Sequence, residues 1–361
     1  MRISSVAVHV WMGWQTSMTH PLPRGLMLAV LGCFSLSSPA WADQPKTFTA
    51  QTYAYHQAHL ALPLTQRVLP ADEAVLDRQQ QTNRDFGHDL RPKAASLNHP
   101  LAAEVKAMLE ELPPDVRKLA DRYLTAVYLV EGDHGTATTE AVRDKDGRWR
   151  LSYIVLNLSA LDKTANQWGT WKESSAFRAA PGYTLRMTLE TAKTDDLRGA
   201  IRFIFLHEMG HVVGQARGIH PSWEDSAPLT PQDFEKKKSV SILPISWRLE
   251  NGKAVSVWKE KYPLLGQLDY YEFEKARLSL DQALKAYKSV AGSDFPSLYG
   301  ATNLYDDFAE SFVVYVHTRL LNKPYRVEVL RDGQSLFILR SCIERGTCTA
   351  KAGLVQAALA D

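Results

Sequence analysis

The run IRFIFLHEMGHVVG, residues 201–214, is the strongest constraint in the sequence. It is apolar and long enough for a helix buried on all sides, yet it carries His207, Glu208 and His211. Burying three ionisable side chains is costly unless they share a partner. Residues four apart lie one turn above each other on a helix, so His207 and His211 converge. Glu208, rotated by about 100°, falls beside that point. Two imidazoles at this spacing can ligate one Zn2+ ion, and the neighbouring carboxylate can take a proton from water that the ion activates. This is H-E-x-x-H read as chemistry. The alternative is a pair of core histidines satisfied by backbone groups or carboxylates.

A catalytic zinc needs a third protein ligand. Gly214 falls on the glycine of the longer metzincin pattern H-E-x-x-H-x-x-G-x-x-H, but Arg217 stands where its last histidine belongs. His220, three residues further on, is one alternative. Better candidates lie in SLYGATNLYDDFAESF, residues 297–312, where Asp306, Asp307 and Glu310 head an apolar helical stretch. Asp306 and Glu310 share a helix face. Asp306 and Asp307 also suit the positive end of a helix dipole, whereas Glu310 lies deeper, among Ala309, Phe312 and Val313. The expectation is one ligand and one carboxylate that orients a ligating histidine, with Asp306 and Glu310 competing for the first role.

The rest of the chain frames these residues. At 361 residues and 45% hydrophobic, it has material for a large core. A net charge of +2 gives no reason to expect a nucleic-acid partner or an anionic membrane surface. MTHPLPRGLMLAVLGCFSLSSPAWADQP places Arg24 before an apolar stretch, Gly25–Leu36, and ends it with Ala40-Trp41-Ala42. That order is a secretory signal peptide, residues 1–42, cut before Asp43, with Met18 as the expected true start. The alternatives are an uncleaved anchor and lipid attachment at Cys33. No segment reaches the ~20 apolar residues of a stable membrane span. The product is then periplasmic or secreted. Cys342 and Cys348 remain in the mature chain and are expected to form a disulfide.

Residues 43–99, rich in Gln, His and Ala and broken by prolines, read as a helical N-terminal extension before a main domain, 100–361. PLAAEVKAMLEEL and PPDVRKLADRYL read as helices with proline in the first turn, and TAVYLVE as a strand. AVRDKDGRWRLSYIVLNL and ISWRLENGKAVSVW read as hairpins. Residues 220–241 read as a loop or lid, with Lys236-Lys237-Lys238 solvated. Helices are expected over 269–290 and 306–321, the second closing the apolar part of the fold.

Residues 112–158 and 200–316 resemble the catalytic domain of gluzincin zinc metallopeptidases related to anthrax lethal factor and the Pro-Pro endopeptidases, through LPPDVRKLADRYLTAVYLVE, HEMGH and YGATNLYDDFAE. That family carries Y-x-x-T-N-x-x-E-x-F-A-E, whose first Glu binds zinc and whose Tyr stabilises the oxyanion. The resemblance implies Tyr299 as oxyanion donor, Asp306 at the ligand position and Glu310 behind it. Asp306 departs from the pattern by one methylene. Either the helix then sits closer to the metal, or Glu310 takes over ligation, or the site is weakened.

The implied fold is α+β and zincin-like: a small twisted sheet with an edge strand near Tyr153–Leu158, packed on the motif helix and a third-ligand helix. The expected function is an exported zinc metallopeptidase with one catalytic Zn2+, a protein or peptide substrate, and Glu208 as general base. Its alternatives are a non-catalytic secreted binding protein on a zincin scaffold and a zinc hydrolase of cell-wall amides.

Overall fold

The computed structural model describes residues 48–360 apart from Ser226. The expected leader, with Met18, Cys33 and the cleavage point before Asp43, lies outside them.

The chain is mixed α+β. Its largest sheet comprises β1 (Val68–Pro70), β2 (Lys93–Ala94), β3 (Leu124–Glu131), β4 (Ala137–Arg143) and β5 (Trp149–Asn157). β1 and β5 flank β3 in parallel, β4 pairs antiparallel with β5, and β2 pairs with the end of β3. The hairpin expected around Asp144-Lys145-Asp146-Gly147 is thus β4–β5, with Gly147 in the left-handed region at φ 77°.

The expected edge strand is misplaced by one position. β5, which holds Tyr153, is interior, and β4 is the edge. The returning arm of the hairpin pairs with β3, which leaves the first arm outside. Hairpin periodicity alone does not say which arm joins the rest of the sheet.

Side chains alternate between two faces of this sheet. Ala126, Tyr128 and Val130 of β3, with Leu151, Tyr153 and Val155 of β5, pack against Val75 and Leu76 from the helix Glu73–Asp85. Val127, Leu129, Ile154 and Leu156 face the main core, where the motif helix Leu197–Arg217 lies. Burial on both faces explains why TAVYLVE reads as a continuous apolar run. The N-terminal region is helical at Tyr53–Leu60 and Glu73–Asp85, but it also supplies β1 and β2 and so forms an outer layer of the same body.

A buried ionic cluster fastens that layer to the edge strand. Arg78 Nε donates to Glu140 Oε2 at 2.7 Å, Thr82 Oγ1 donates to Glu140 Oε1 at 2.7 Å, and Arg78 Nη2 reaches Glu224 Oε1 at 3.0 Å.

The helix expected over 269–290 begins only at Leu280, after a Ser279–Gln282 capping box, and runs to Ala291. Before it, Tyr271 and Phe273 take positive φ, and Leu278–Ser279 bridges to Phe177–Arg178. A local cap ended what hydrophobic spacing alone would have extended. The second late helix runs Leu304–Tyr315 and continues as a π turn, Val316–Leu320. It does not close the core. Val327, Val329, Leu339, Leu354 and Val355 follow it and are buried with the rest.

The hairpin at Asn251-Gly252 forms as expected, and Lys236, Lys237 and Lys238 are exposed. Cys342 and Cys348 are joined by a disulfide. Among the described residues, no helix is long and apolar enough to cross a membrane.

Candidate metal centre

The motif helix starts where the Asp196 side chain accepts from Gly199 N at 2.7 Å and ends at Gly218, left-handed at φ 61°. Between them, Gly199 to Gln215 is buried throughout. Such a helix has no solvent face on which His207, Glu208 and His211 could discharge their polarity. They turn instead toward the late helix, where the N-cap Asn303 accepts from Tyr305 N and Asp306 N, each at 2.9 Å.

The two helices cross in contact. A Cβ placed on Gly210 would lie 2.6 Å from the Cα of Ala309, so only glycine allows this approach. The glycine within HEMGH lets the two helix backbones meet at this point.

Three donor atoms meet at the crossing. His207 Nε2 and His211 Nε2 are 3.1 Å apart, and Asp306 Oδ1 lies 3.3 Å from the first and 3.4 Å from the second. Donors bound tetrahedrally to one zinc ion at ~2.0–2.1 Å stand about 3.3 Å apart. All three residues are buried, and among the described residues no hydrogen bond reaches Asp306 Oδ1. At these distances the three atoms could hold one metal ion. Among the described residues this is the one group of three or more His, Cys, Asp or Glu side chains placed to hold an ion.

The other carboxylates divide by role. Glu310 Oε1 lies 3.0 Å from His207 Nδ1 and so is turned away from the donor point; it orients the histidine. Asp307 leaves the site altogether, accepting from Lys351 Nζ at 2.5 Å and Trp247 Nε1 at 3.0 Å. Asp306 itself is held from behind, since its Oδ2 accepts from Asn303 Nδ2 at 2.5 Å, which leaves Oδ1 for the histidines.

Glu208 is fully buried beside the donors, and its Oε2 accepts from Thr139 Oγ1 of β4 at 2.7 Å. Oε1 has no partner among the described residues. Burial, opposed by His207 and His211, raises its carboxyl above the usual range. Burial also opposes charge on His207, but Asp306 and Glu310 outweigh it and push that imidazole up to about 9 in the metal-free chain. Glu310 moves the other way: burial is overcome by the Lys172 ammonium and by His207, which hold it well below the usual carboxylate range.

Tyr299 is buried, with its ring 5.6 Å from that of His207 and its hydroxyl without a hydrogen-bond partner among the described residues. The structure therefore gathers His207, Glu208, His211, Tyr299, Asp306 and Glu310 at one place. His220 stays outside the donor group: its Nδ1 bonds to Pro221 O at 2.9 Å, and its ring lies against Gly214.

No family model, no curated protein and no solved structure matches the chain.

Sequence reasoning missed Thr139, Asn303 and Lys172 as parts of the site. Asn303 had a visible signal, as an N-cap residue three positions before a carboxylate. Thr139 and Lys172 had none, because each comes from an element whose position depends on the tertiary fold. Trp223, from the expected loop or lid, is also near; its buried ring stands 6.3 Å from that of His211 and packs on Ala141 of β4.

Proposed function

We propose that the chain is an exported zinc metallopeptidase of the gluzincin kind, with His207, His211 and Asp306 holding the metal. The observation that carries this is the convergence of two Nε2 atoms and one carboxylate oxygen at tetrahedral spacing, with the unpartnered Oε1 of Glu208 beside them. When bound, zinc supplies Lewis acidity, polarising a carbonyl and acidifying water.

The chain's own groups do the rest. Glu208, steadied through Thr139, takes the proton of the attacking water on Oε1. Glu310 accepts from His207 Nδ1 and leaves the Nε2 lone pair for the ion. Tyr299 donates its hydroxyl to the developing oxyanion. β4 is the edge to which an extended peptide can add as a further strand. The disulfide fits an oxidising compartment outside the cytosol.

Metal analysis and peptide cleavage on the mature protein test the proposal. One zinc per chain is expected, with Glu208→Gln keeping the metal and losing about 10³-fold in cleavage rate. A metal-free wild type, or a variant that cleaves as well as wild type, overturns it. One observation favours a rival: Glu208, His211 and Asp306 are wholly buried, as in a structural metal site of a non-catalytic binding protein. That rival keeps zinc but shows no cleavage in either protein, on peptides or on cell-wall amides.

A further inference from the structure

Lys172 lies on the helix Ala165–Ser174, outside every motif of the sequence. Its side chain is 3% exposed. Nζ donates to Glu310 Oε1 at 2.9 Å, the same oxygen that accepts from His207 Nδ1 at 3.0 Å. The ammonium also stands 4.2 Å from the centroid of the Tyr299 ring. Glu173, next along the helix, faces elsewhere and takes the hydroxyls of Tyr270 and Tyr287.

A buried ammonium is expensive, and an apolar side chain of similar length would fill the space without removing a charge from water. A charge kept here needs a consequence that packing does not supply. It has two. A carboxylate paired to an ammonium stays an acceptor, so the proton of a metal-bound His207 is fixed on Nδ1 and its Nε2 is left free for the ion. A cation on the face of a phenol ring anchors the ring and strengthens its hydroxyl as a donor.

We propose that Lys172 is a positioning residue for the metal centre, one ammonium that sets both the tautomer of His207 through Glu310 and the placement of the Tyr299 hydroxyl. This role rests on the metallopeptidase reading. The ammonium touches neither the ion nor the reacting atoms. It acts through two residues that the sequence pattern already marks, and it ties them to a helix that the pattern does not include.

Zinc affinity by chelator competition, the absorption spectrum of the Co2+-substituted protein, and kcat against KM are measured for wild type, Lys172→Met and Lys172→Arg. Lys172→Met is expected to lose ~10–100-fold in zinc affinity, to shift the Co2+ spectrum and to lower kcat more than KM. Lys172→Arg, which keeps the charge, restores most of the affinity. Glu310→Gln is compared with the double variant Lys172→Met/Glu310→Gln, which buries no unpaired charge and so guards against a single variant that does not fold. These two are expected to bind zinc within about twofold of each other, since the path through Glu310 is already cut. The proposal is overturned if Lys172→Met binds zinc with wild-type affinity and spectrum, or if removing Lys172 costs as much affinity on the Glu310→Gln background as alone. Wild type that binds no zinc overturns the metallopeptidase reading instead, and this role with it.

Discussion

Two buried clusters of charge sit on opposite faces of the same edge strand, and they are built differently. On one face Arg78 and Thr82 meet Glu140 and Glu224, and among the described residues none of their side-chain polar atoms is buried without a partner. On the other face, one strand residue away, Thr139 reaches the site, where Glu208 Oε1, Asp306 Oδ1, His211 Nδ1, Glu310 Oε2 and Tyr299 Oη are all buried with no hydrogen bond among the described residues. Glu140 points to the first cluster and Thr139 to the second. A cluster that closes on itself holds a fold together. One that gathers buried donors and acceptors without hydrogen-bond partners is, on the proposed reading, the cluster expected to take up an ion.

Four experiments separate the two clusters, taken from the largest effect to the smallest. Arg78→Met leaves Glu140 and Glu224 without their cation and is expected to destabilise the protein by about 3–5 kcal/mol, with zinc stoichiometry unchanged in the folded fraction. Chemical denaturation with metal analysis checks both halves; a variant as stable as wild type would show that the first cluster is not structural. Removing the metal acts on the other cluster. If zinc is present at about a thousand times its dissociation constant, its loss costs about 4 kcal/mol, seen as a lower Tm that added zinc restores. A Tm indifferent to chelator and to zinc counts against the centre.

Gly210→Ala is a finer cut. Its methyl would meet the Ala309 backbone, and the forced separation of the helices is expected to cost about 1–3 kcal/mol of stability and to weaken zinc binding in the same variant. Stability lost with affinity intact would detach the helix contact from the centre.

Histidine titration gives the effect that is smallest per group and per pH unit, and it has a sign. Burial holds His56 and His317 down to about 4, so each contributes stability that is complete above about pH 6.5 and is lost as pH falls from there toward 4. His207, pushed up to about 9 without metal, does the reverse: its contribution is complete below about 6.5 and is lost as pH rises through 9. Denaturation of the metal-free chain across pH should therefore show both arms, at up to about 1.4 kcal/mol per pH unit for each group. Loading the ion should remove the alkaline arm alone, because a ligating imidazole has already given up that proton. An alkaline arm that survives metal loading would mean that His207 is not a ligand.

Much of this was legible in the chain because the relevant residues are close in sequence. His207, Glu208 and His211 share one helix and Asp306 and Glu310 another, so helical geometry could order each set, while Tyr299 was reached through the family resemblance. The turn chemistry of Asp-Lys-Asp-Gly and Asn-Gly likewise marked real hairpins. What failed had largely non-local causes. Which arm of β4–β5 becomes the edge depends on β3, and although the Ser279 cap that starts the helix at Leu280 is local, Leu278–Ser279 before it is held extended by a bridge to Phe177–Arg178, about a hundred residues away. Thr139 and Lys172 reach the site from the edge strand and a separate helix, which no spacing rule connects to HEMGH.

The contact at Gly210 also sets an aperture. Where side chains separate two helices, a cage can breathe by a change of rotamer, but backbone against backbone gives no such slack. Ions that need longer bonds and six to eight oxygens, as Ca2+ does at ~2.3–2.6 Å, would have to push the helices apart and would find two nitrogens where they want oxygen. On the proposed zinc reading, choice among metals rests partly on a hydrogen atom, the one that Gly210 carries in place of a side chain.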